Sequence, residues 1–62
     1  MRIDNILQRL ESTRTRSLRL LDDVKKLPRN ADTDQLYYAV MDIELAADRA
    51  IYAAKRHRQR RA

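Results

Sequence analysis

The 62-residue chain contains no cysteine, no glycine and no phenylalanine, and it has a single proline and a single histidine. Without cysteine there are neither disulfides nor thiolate ligands, and one histidine is a poor basis for a metal site. The lack of glycine excludes Gly-rich phosphate-binding loops. We therefore expect a protein without metal or cofactor. We also expect no enzyme activity, because a small helical protein offers no evident substrate cleft.

Long apolar runs are also absent. No stretch approaches the roughly 20 apolar residues needed to cross a bilayer, and the longest candidates are short pieces such as "AIYAA". No secretory signal is evident, and Asp4 and Glu11 count against a mitochondrial presequence in the Arg-rich N-terminal segment. The sequence predicts a cytoplasmic protein with no membrane partner.

The composition that remains favours helices. A hydrophobic content of 44% argues against disorder, and the chain is rich in residues with good helix propensity, such as Ala, Leu, Arg and Gln. We predict an all-α fold. A chain this short buries little apolar surface alone, so we expect a homodimer, with higher oligomers left open.

Pro28 divides the chain into two helices, because proline disfavours helical geometry in the residue before it. Helix 1 is predicted over about 4–27, with Asp4 as its N-cap. Residues 28–32 form the turn. Asp32 followed by Gln35 has the spacing of a capping box.

Helix 2 is accordingly predicted over about 33–55, with residues 55–62 as a basic tail. Two such helices joined by a short turn pack antiparallel, so residues 1–54 form a helical hairpin. Two hairpins would together make a four-helix bundle.

Helix 1 carries a stripe of residues at spacings of three and four. Its members are Ile3, Ile6, Leu10, Thr13, Ser17, Leu20, Val24 and Leu27, widened by Leu7 and Leu21. The polar residues at its middle have two interpretations. Thr13 and Ser17 could allow close helix approach while Arg14 extends outward, or a buried Arg14 could pair with Glu44 or Asp48 and fix the register.

Helix 2 carries two apolar stripes. The main face, predicted to meet helix 1, consists of Leu36, Ala39, Val40, Ile43, Ala46, Ala47, Ala50, Ile51 and Ala54. The second stripe lies nearly opposite and consists of Tyr38, Met41, Leu45 and Tyr52. It is either partly solvated surface or a surface for a partner or a second subunit.

Charge is distributed unevenly along the chain. Residues 1–29 carry a net +4 and residues 30–54 a net −4, so the two helices are complementary, within one hairpin or across a dimer. The whole net charge of +5 comes from the segment "KRHRQRR". A run of this kind is typical of a nucleic-acid patch or of a tail for an acidic partner.

The stretch "SLRLLDDVKKLPRNADTDQL", together with a late "YAA" and the chain length, resembles the Rop family of helical hairpins. Members of that family dimerise into four-helix bundles and bind kissing RNA stem-loops. The resemblance implies RNA contacts at Gln8, Ser12, Arg16 and Asp23. However, Ser12 replaces an aromatic residue of the family and Asp23 a basic one, so the resemblance supports the fold more than the ligand.

Two functions are compatible with these features. The first is a small regulatory protein that binds RNA or DNA phosphates through its basic tail and the arginines on one outer side of helix 1. The alternative interpretation of these arginines is a solvated face that keeps the protein soluble. The candidate nucleic-acid-binding residues are Gln8, Arg9, Arg16, Arg19, Lys55, Arg56, Arg58, Arg60 and Arg61, with Arg2 on the same side of helix 1. The alternative is a helical adaptor or inhibitor that docks a protein with an acidic surface through Tyr38, Met41, Leu45 and Tyr52.

Overall fold

The computed structural model describes residues 2–61 as two α-helices joined by a short connection. Helix α1 spans Ile3–Lys25 and helix α2 spans Ala31–Arg61. They pack side by side and antiparallel in a rod of 48 × 14 × 14 Å. The predicted all-α hairpin is confirmed.

The two helices meet along a narrow line of contact, which we call the seam. The residues that form it follow one another at sequence separations of four and three. In α1 the seam residues are Ile3, Leu7, Leu10, Arg14, Ser17, Leu21 and Val24. In α2 they are Tyr37, Val40, Glu44, Ala47, Ile51, Ala54 and Arg58. This is the heptad spacing by which two helices keep one stripe in contact over their whole length.

The apolar seam residues form two separate clusters. The terminal cluster contains Leu7, Ile51 and Ala54, with Ile3 and Leu10 packed against it. The turn cluster contains Leu21, Val24 and Val40, with Tyr37 and Met41 packed against it. Each cluster is small, and among the described residues no large side chain is completely buried.

A polar layer separates the two clusters. Arg14 Nε lies 2.6 Å from Asp48 Oδ1 and 3.8 Å from Glu44 Oε1. Ser17 is buried beside this layer and donates to the Thr13 carbonyl oxygen over 2.9 Å. The pairing of Arg14 with Glu44 and Asp48 is confirmed, but Arg14 is not buried, since its side chain is 49% exposed.

The seam is narrower than the predicted stripes. Ile6, Leu20 and Leu27 were expected in the contact and are exposed instead. On α2, four residues of the predicted main face are also exposed, namely Leu36, Ala39, Ile43 and Ala46. One neighbouring helix covers only the seam, so the flanks of both stripes face solvent in a single hairpin.

The connection differs from the predicted capping. Asn30 Oδ1 accepts from the Thr33 backbone N–H at 3.0 Å, and Thr33 Oγ1 accepts from the Asn30 N–H at 2.9 Å. This reciprocal pair caps α2, so the prediction of Asp32 and Gln35 as the capping box is wrong. Asp32 instead lies in the first turn, where its charge favours the helix dipole.

The helix ends differ as well. Arg2 is the N-cap residue of α1 and makes no side-chain capping bond, so the prediction of Asp4 as N-cap is wrong. Helix α1 ends at Lys25, because the N–H groups of Lys26 and Leu27 bond to carbonyls only three residues back, which tightens the chain ahead of Pro28.

The segment predicted as a separate tail is helical. Helix α2 continues without interruption through Arg61, and the remaining residue, Ala62, lies outside the described residues. In residues 2–61, neither helix has an apolar stretch of the length that would carry it through a membrane.

Candidate nucleic-acid interface

A line of exposed arginines follows the outer side of α1. Arg9 and Arg16 are separated by one heptad, and Arg19 lies one turn further along. Arg16 lines two shallow polar depressions with Gln8 and Ser12, the first of which also includes Arg9 and the second Arg19. The structure therefore brings Gln8, Arg9, Arg16 and Arg19 onto one surface, which we call the basic strip.

The arginines of the basic strip form no ion pairs with the described carboxylates of the hairpin. In the part of the chain that the structure describes, the lysines and arginines in ion pairs are Arg14, Lys26, Arg29 and Arg58. Only Arg14 and Arg58 reach an acid on the other helix. The complementary charges of the two helices thus leave Arg9, Arg16 and Arg19 without an ion pair among the described carboxylates.

The C-terminal cations lie beside the first turns of α1. Arg58 Nη1 is 3.3 Å from Asp4 Oδ1, which ties the basic segment to the hairpin. The Arg56 guanidinium lies 5.7 Å from the centre of the Tyr52 ring, at cation–π distance. Lys55 and Arg60 are exposed. The side chain of Arg61 lies outside the described residues. One end of the rod is therefore strongly basic.

Six flank residues, five of them apolar and all but Ala50 exposed, share one broad side of the hairpin. Each directly precedes a seam residue and is rotated from it by about 100°. Because the helices are antiparallel, this same rotation turns both sets toward the same side. We call this side the lateral face, and its residues are Ile6, Thr13, Leu20, Leu36, Ile43 and Ala50.

The second stripe of α2 lies on the opposite broad side. Tyr38, Leu45 and Tyr52 each directly follow a seam residue and are exposed, and we call them the tyrosine face. Met41 was predicted to belong with them, but it is half-buried and packs against the turn cluster. The structure therefore separates Met41 from the other three residues.

The polar layer perturbs one ionisable group. Burial raises the pKa of the Glu44 carboxyl above its ordinary value of 4.5, and a hydrogen bond and the negative charge of Asp48 raise it further. The Arg14 cation acts in the opposite direction and lowers it. Arg14 is thus paired with Glu44 and Asp48 in the polar layer and is not part of the basic strip.

Sequence reasoning missed a pocket at the connection. Residues from the end of α1, from the connection and from the start of α2 enclose a volume of about 320 Å³. Its lining includes Val24, Lys25, Leu27, Arg29, Asp34, Tyr37 and Tyr38. No sequence pattern indicated it, because its lining combines residues of both helices and of the connection between them.

The described residues contain no cluster of three or more His, Asp or Glu side chains arranged to hold a metal ion. Comparison of the chain with protein-family models, with curated proteins and with solved structures finds no match to any of them.

Proposed function

We propose that the protein is a small, non-catalytic, cytoplasmic regulatory protein that binds RNA or DNA through the basic strip and the basic end of the rod. The observation that carries the proposal is that Arg9, Arg16 and Arg19 are exposed on one surface and have no ion pair among the described residues. Arginine forms bidentate hydrogen bonds with phosphate, and each neutralised phosphate releases counterions.

The basic end extends this surface. Helix α2 carries Lys55, Arg56 and Arg60 beyond the terminal cluster, close to the first turns of α1. In a helix these side chains are held at fixed angles about one axis, so they present charge at defined positions. The negative end of the helix dipole accounts for a few cations here, but not for this number.

We also propose that two hairpins associate through the lateral face to form a four-helix bundle. Its apolar residues follow the same heptad as the seam on both helices, and Ile43 is 49% exposed in a single hairpin. A second copy is the occupant that the pattern supports, because a single hairpin has only two small apolar clusters. If the two α1 helices are neighbours, the two basic strips become continuous.

The proposed function is tested with a pair of variants that remove one positive charge from opposite edges of the hairpin. Arg16→Gln alters the basic strip, while Arg49→Gln alters the outer side of α2, and both side chains are exposed. Each variant is titrated with structured RNA and with duplex DNA at two salt concentrations. Arg16→Gln should weaken binding and reduce the slope of log affinity against log salt by up to about 0.9.

The control Arg49→Gln should change affinity much less. Equal effects of the two substitutions would mean that only net charge matters and would refute the basic strip as the interface. Absence of salt-sensitive binding by the wild-type protein would refute the proposed function.

The tyrosine face supports a second candidate function, the helical adaptor. Tyr38, Leu45 and Tyr52 lie on the side that the lateral face leaves open, so a dimer would still present them to a partner. Changing all three to polar residues should leave helicity and duplex-DNA binding intact and remove a protein partner. Loss of duplex-DNA binding together with retained helicity would count against the adaptor.

A further inference from the structure

The pocket at the connection combines aromatic, apolar and charged side chains. Val24 and Leu27 supply apolar lining, Tyr37 and Tyr38 supply aromatic rings, and the charged residues Lys25, Arg29 and Asp34 complete the lining. A volume of about 320 Å³ is at the small end of the range for ligand sites. Such a lining suits a flat, partly polar group that carries negative charge on one side.

The two tyrosines form a supported aromatic platform. Their ring centres are 5.7 Å apart and their planes meet at 80°, which is an edge-to-face arrangement. Tyr37 is half-buried against the turn cluster, whereas Tyr38 is 63% exposed. Tyr37 therefore positions the neighbouring ring while most of the surface of Tyr38 stays available for stacking.

The charges of the pocket match a nucleotide. Lys25 has no ion pair among the described carboxylates and is free to meet a phosphate. Arg29 Nε lies 3.6 Å from Asp34 Oδ1, and the Arg29 side chain is largely exposed. The Asp34 carboxylate can accept from an exocyclic amino group, as acidic side chains do from cytosine.

The pocket lies near the end of the basic strip along α1. Lys25 follows Arg19 by six residues in the same helix, which corresponds to about 9 Å along the axis and to about 120° around it. A strand whose phosphates follow Arg9, Arg16 and Arg19 therefore has to pass part of the way around α1 to reach the pocket. A paired base would first have to leave the duplex stack, which costs free energy in unpairing and unstacking, so an unpaired base is favoured.

We propose that this pocket binds one unpaired nucleobase by stacking on Tyr38, while Lys25 contacts the adjoining phosphate. This inference rests on the proposed function and makes it specific, because it assigns a single-stranded segment as the preferred ligand. Stacking on aromatic side chains is tolerant of base identity, so the site selects for an unpaired base and not for a sequence.

The test compares two tyrosines that are matched in exposure and spacing. Tyr38 and Tyr52 are 63% and 64% exposed, and each follows a seam residue of α2, but Tyr52 lies near the basic end beside Arg56. A labelled single-stranded oligonucleotide and the duplex formed from it are titrated with the Tyr38→Leu and Tyr52→Leu variants. Helicity is checked by circular dichroism.

Tyr38→Leu should weaken single-strand binding by roughly tenfold, as expected for the loss of one stacked base. Duplex affinity and the salt slope should not change, and Tyr38→Phe should retain wild-type single-strand binding. Equal single-strand affinities of the Tyr38→Leu and Tyr52→Leu variants would overturn the inference while leaving the basic strip intact.

A nucleoside monophosphate tests the pocket separately from the basic strip, because a single nucleotide is too short to contact both. At millimolar concentration it should shift the ring proton resonances of Tyr37 and Tyr38 in the NMR spectrum, whereas inorganic phosphate at the same concentration should not. Shifts of this pattern would support the pocket even if longer nucleic acids failed to bind. No shift at Tyr38, or an equal shift with inorganic phosphate, would overturn it.

Discussion

Arg14 Nε and Asp48 Oδ1 are 2.6 Å apart, and this ion pair joins the two helices in the polar layer between the clusters. Glu44 Oε1 lies 3.8 Å from the same Arg14 Nε, but its side chain is only 14% exposed, compared with 41% for Asp48. The two carboxylates therefore have different consequences for stability. Asp48 is the closer partner, and Glu44 is the one whose ionisation is penalised by burial.

The first prediction concerns the pH dependence of stability. Because the pKa of Glu44 is raised in the folded state, its contribution to stability is greatest below its ordinary value of 4.5 and is lost as the pH rises through the folded value. Glu44→Gln should therefore gain in melting temperature relative to the wild type as the pH is raised from below 4.5 to neutral. Thermal unfolding across this range measures the difference.

Asp48→Asn is the companion variant. It removes the closest partner of Arg14 and should lower stability at neutral pH by about 1 kcal/mol or less, since both side chains are partly exposed. If Glu44→Gln lost melting temperature relative to the wild type as the pH rose, burial would not be what controls the Glu44 carboxyl.

The second prediction separates folding from association. Leu21 belongs to the turn cluster, so Leu21→Asp should unfold the hairpin by burying an unpaired charge. Ile43 is on the lateral face, so Ile43→Asp should leave the helices formed and abolish the dimer. Circular dichroism and sedimentation report the two properties.

The control for the lateral face is Leu45→Asp, which places the same charge on the tyrosine face. It should sediment as the wild type does. A wild-type protein that is a folded monomer at micromolar concentration, or a dimer that Leu45→Asp disrupts and Ile43→Asp does not, would refute the assignment of the lateral face.

The third prediction concerns the cap of α2. Asn30→Ala removes the acceptor of the Thr33 N–H and should cost about 1 kcal/mol in the free energy of unfolding. Asp32→Ala, two residues later, should cost less, because Asp32 contributes only its charge near the start of the helix. Chemical denaturation measures the free energy of unfolding of both variants. A larger decrease for Asp32→Ala than for Asn30→Ala would contradict the Asn30 cap and favour the capping box inferred from the sequence.

The fourth prediction concerns the basic end. Truncation after Ala54 removes about two turns of α2 and the pair between Arg58 and Asp4, yet should cost only about 1 kcal/mol or less, because that pair is exposed. Nucleic-acid affinity should fall, and the salt slope should flatten by up to about 0.9 for each phosphate that the truncated protein no longer neutralises. Unfolding curves measure the stability cost, and titrations at two salt concentrations measure the affinity and the salt slope.

Arg58→Gln and Arg60→Gln refine this prediction. Asp4 already partly neutralises Arg58, whereas Arg60 has no ion pair among the described carboxylates, so the change at Arg60 should reduce affinity more. Equal binding by the full and the truncated chain would eliminate the basic end as part of the interface.

The sequence predicted the hairpin but not which residues make its contact. Pro28 and the spacing of apolar residues were sufficient for two antiparallel helices. They were not sufficient to choose between Ile6 and Leu7, because both lie within an apolar stripe that is wider than one partner helix can cover. Only the packed pair shows that Leu7 lies in the seam while Ile6 faces outward.

Local choices at the connection were equally ambiguous. Asn30 and Asp32 both carry oxygens that can cap a helix, and the selection depends on Thr33 returning the hydrogen bond. The basic strip could be predicted, since the positions of Arg9, Arg16 and Arg19 follow from helical spacing alone. The pocket could not, because its lining comes from two helices and the connection at once, and only the packed hairpin brings these residues together.

The polar layer also determines how the hairpin comes apart. We expect the terminal cluster to open without the turn cluster, since the layer around Arg14 separates them. The turn cluster is closed by a short connection, whereas the terminal cluster lies at helix ends that no connection joins and that carry mutually repelling cations. Amide hydrogens at that end should therefore exchange through openings of lower free energy. If an anion neutralises the basic end, as the proposed function requires, these openings should become rarer and amide exchange at that end should slow.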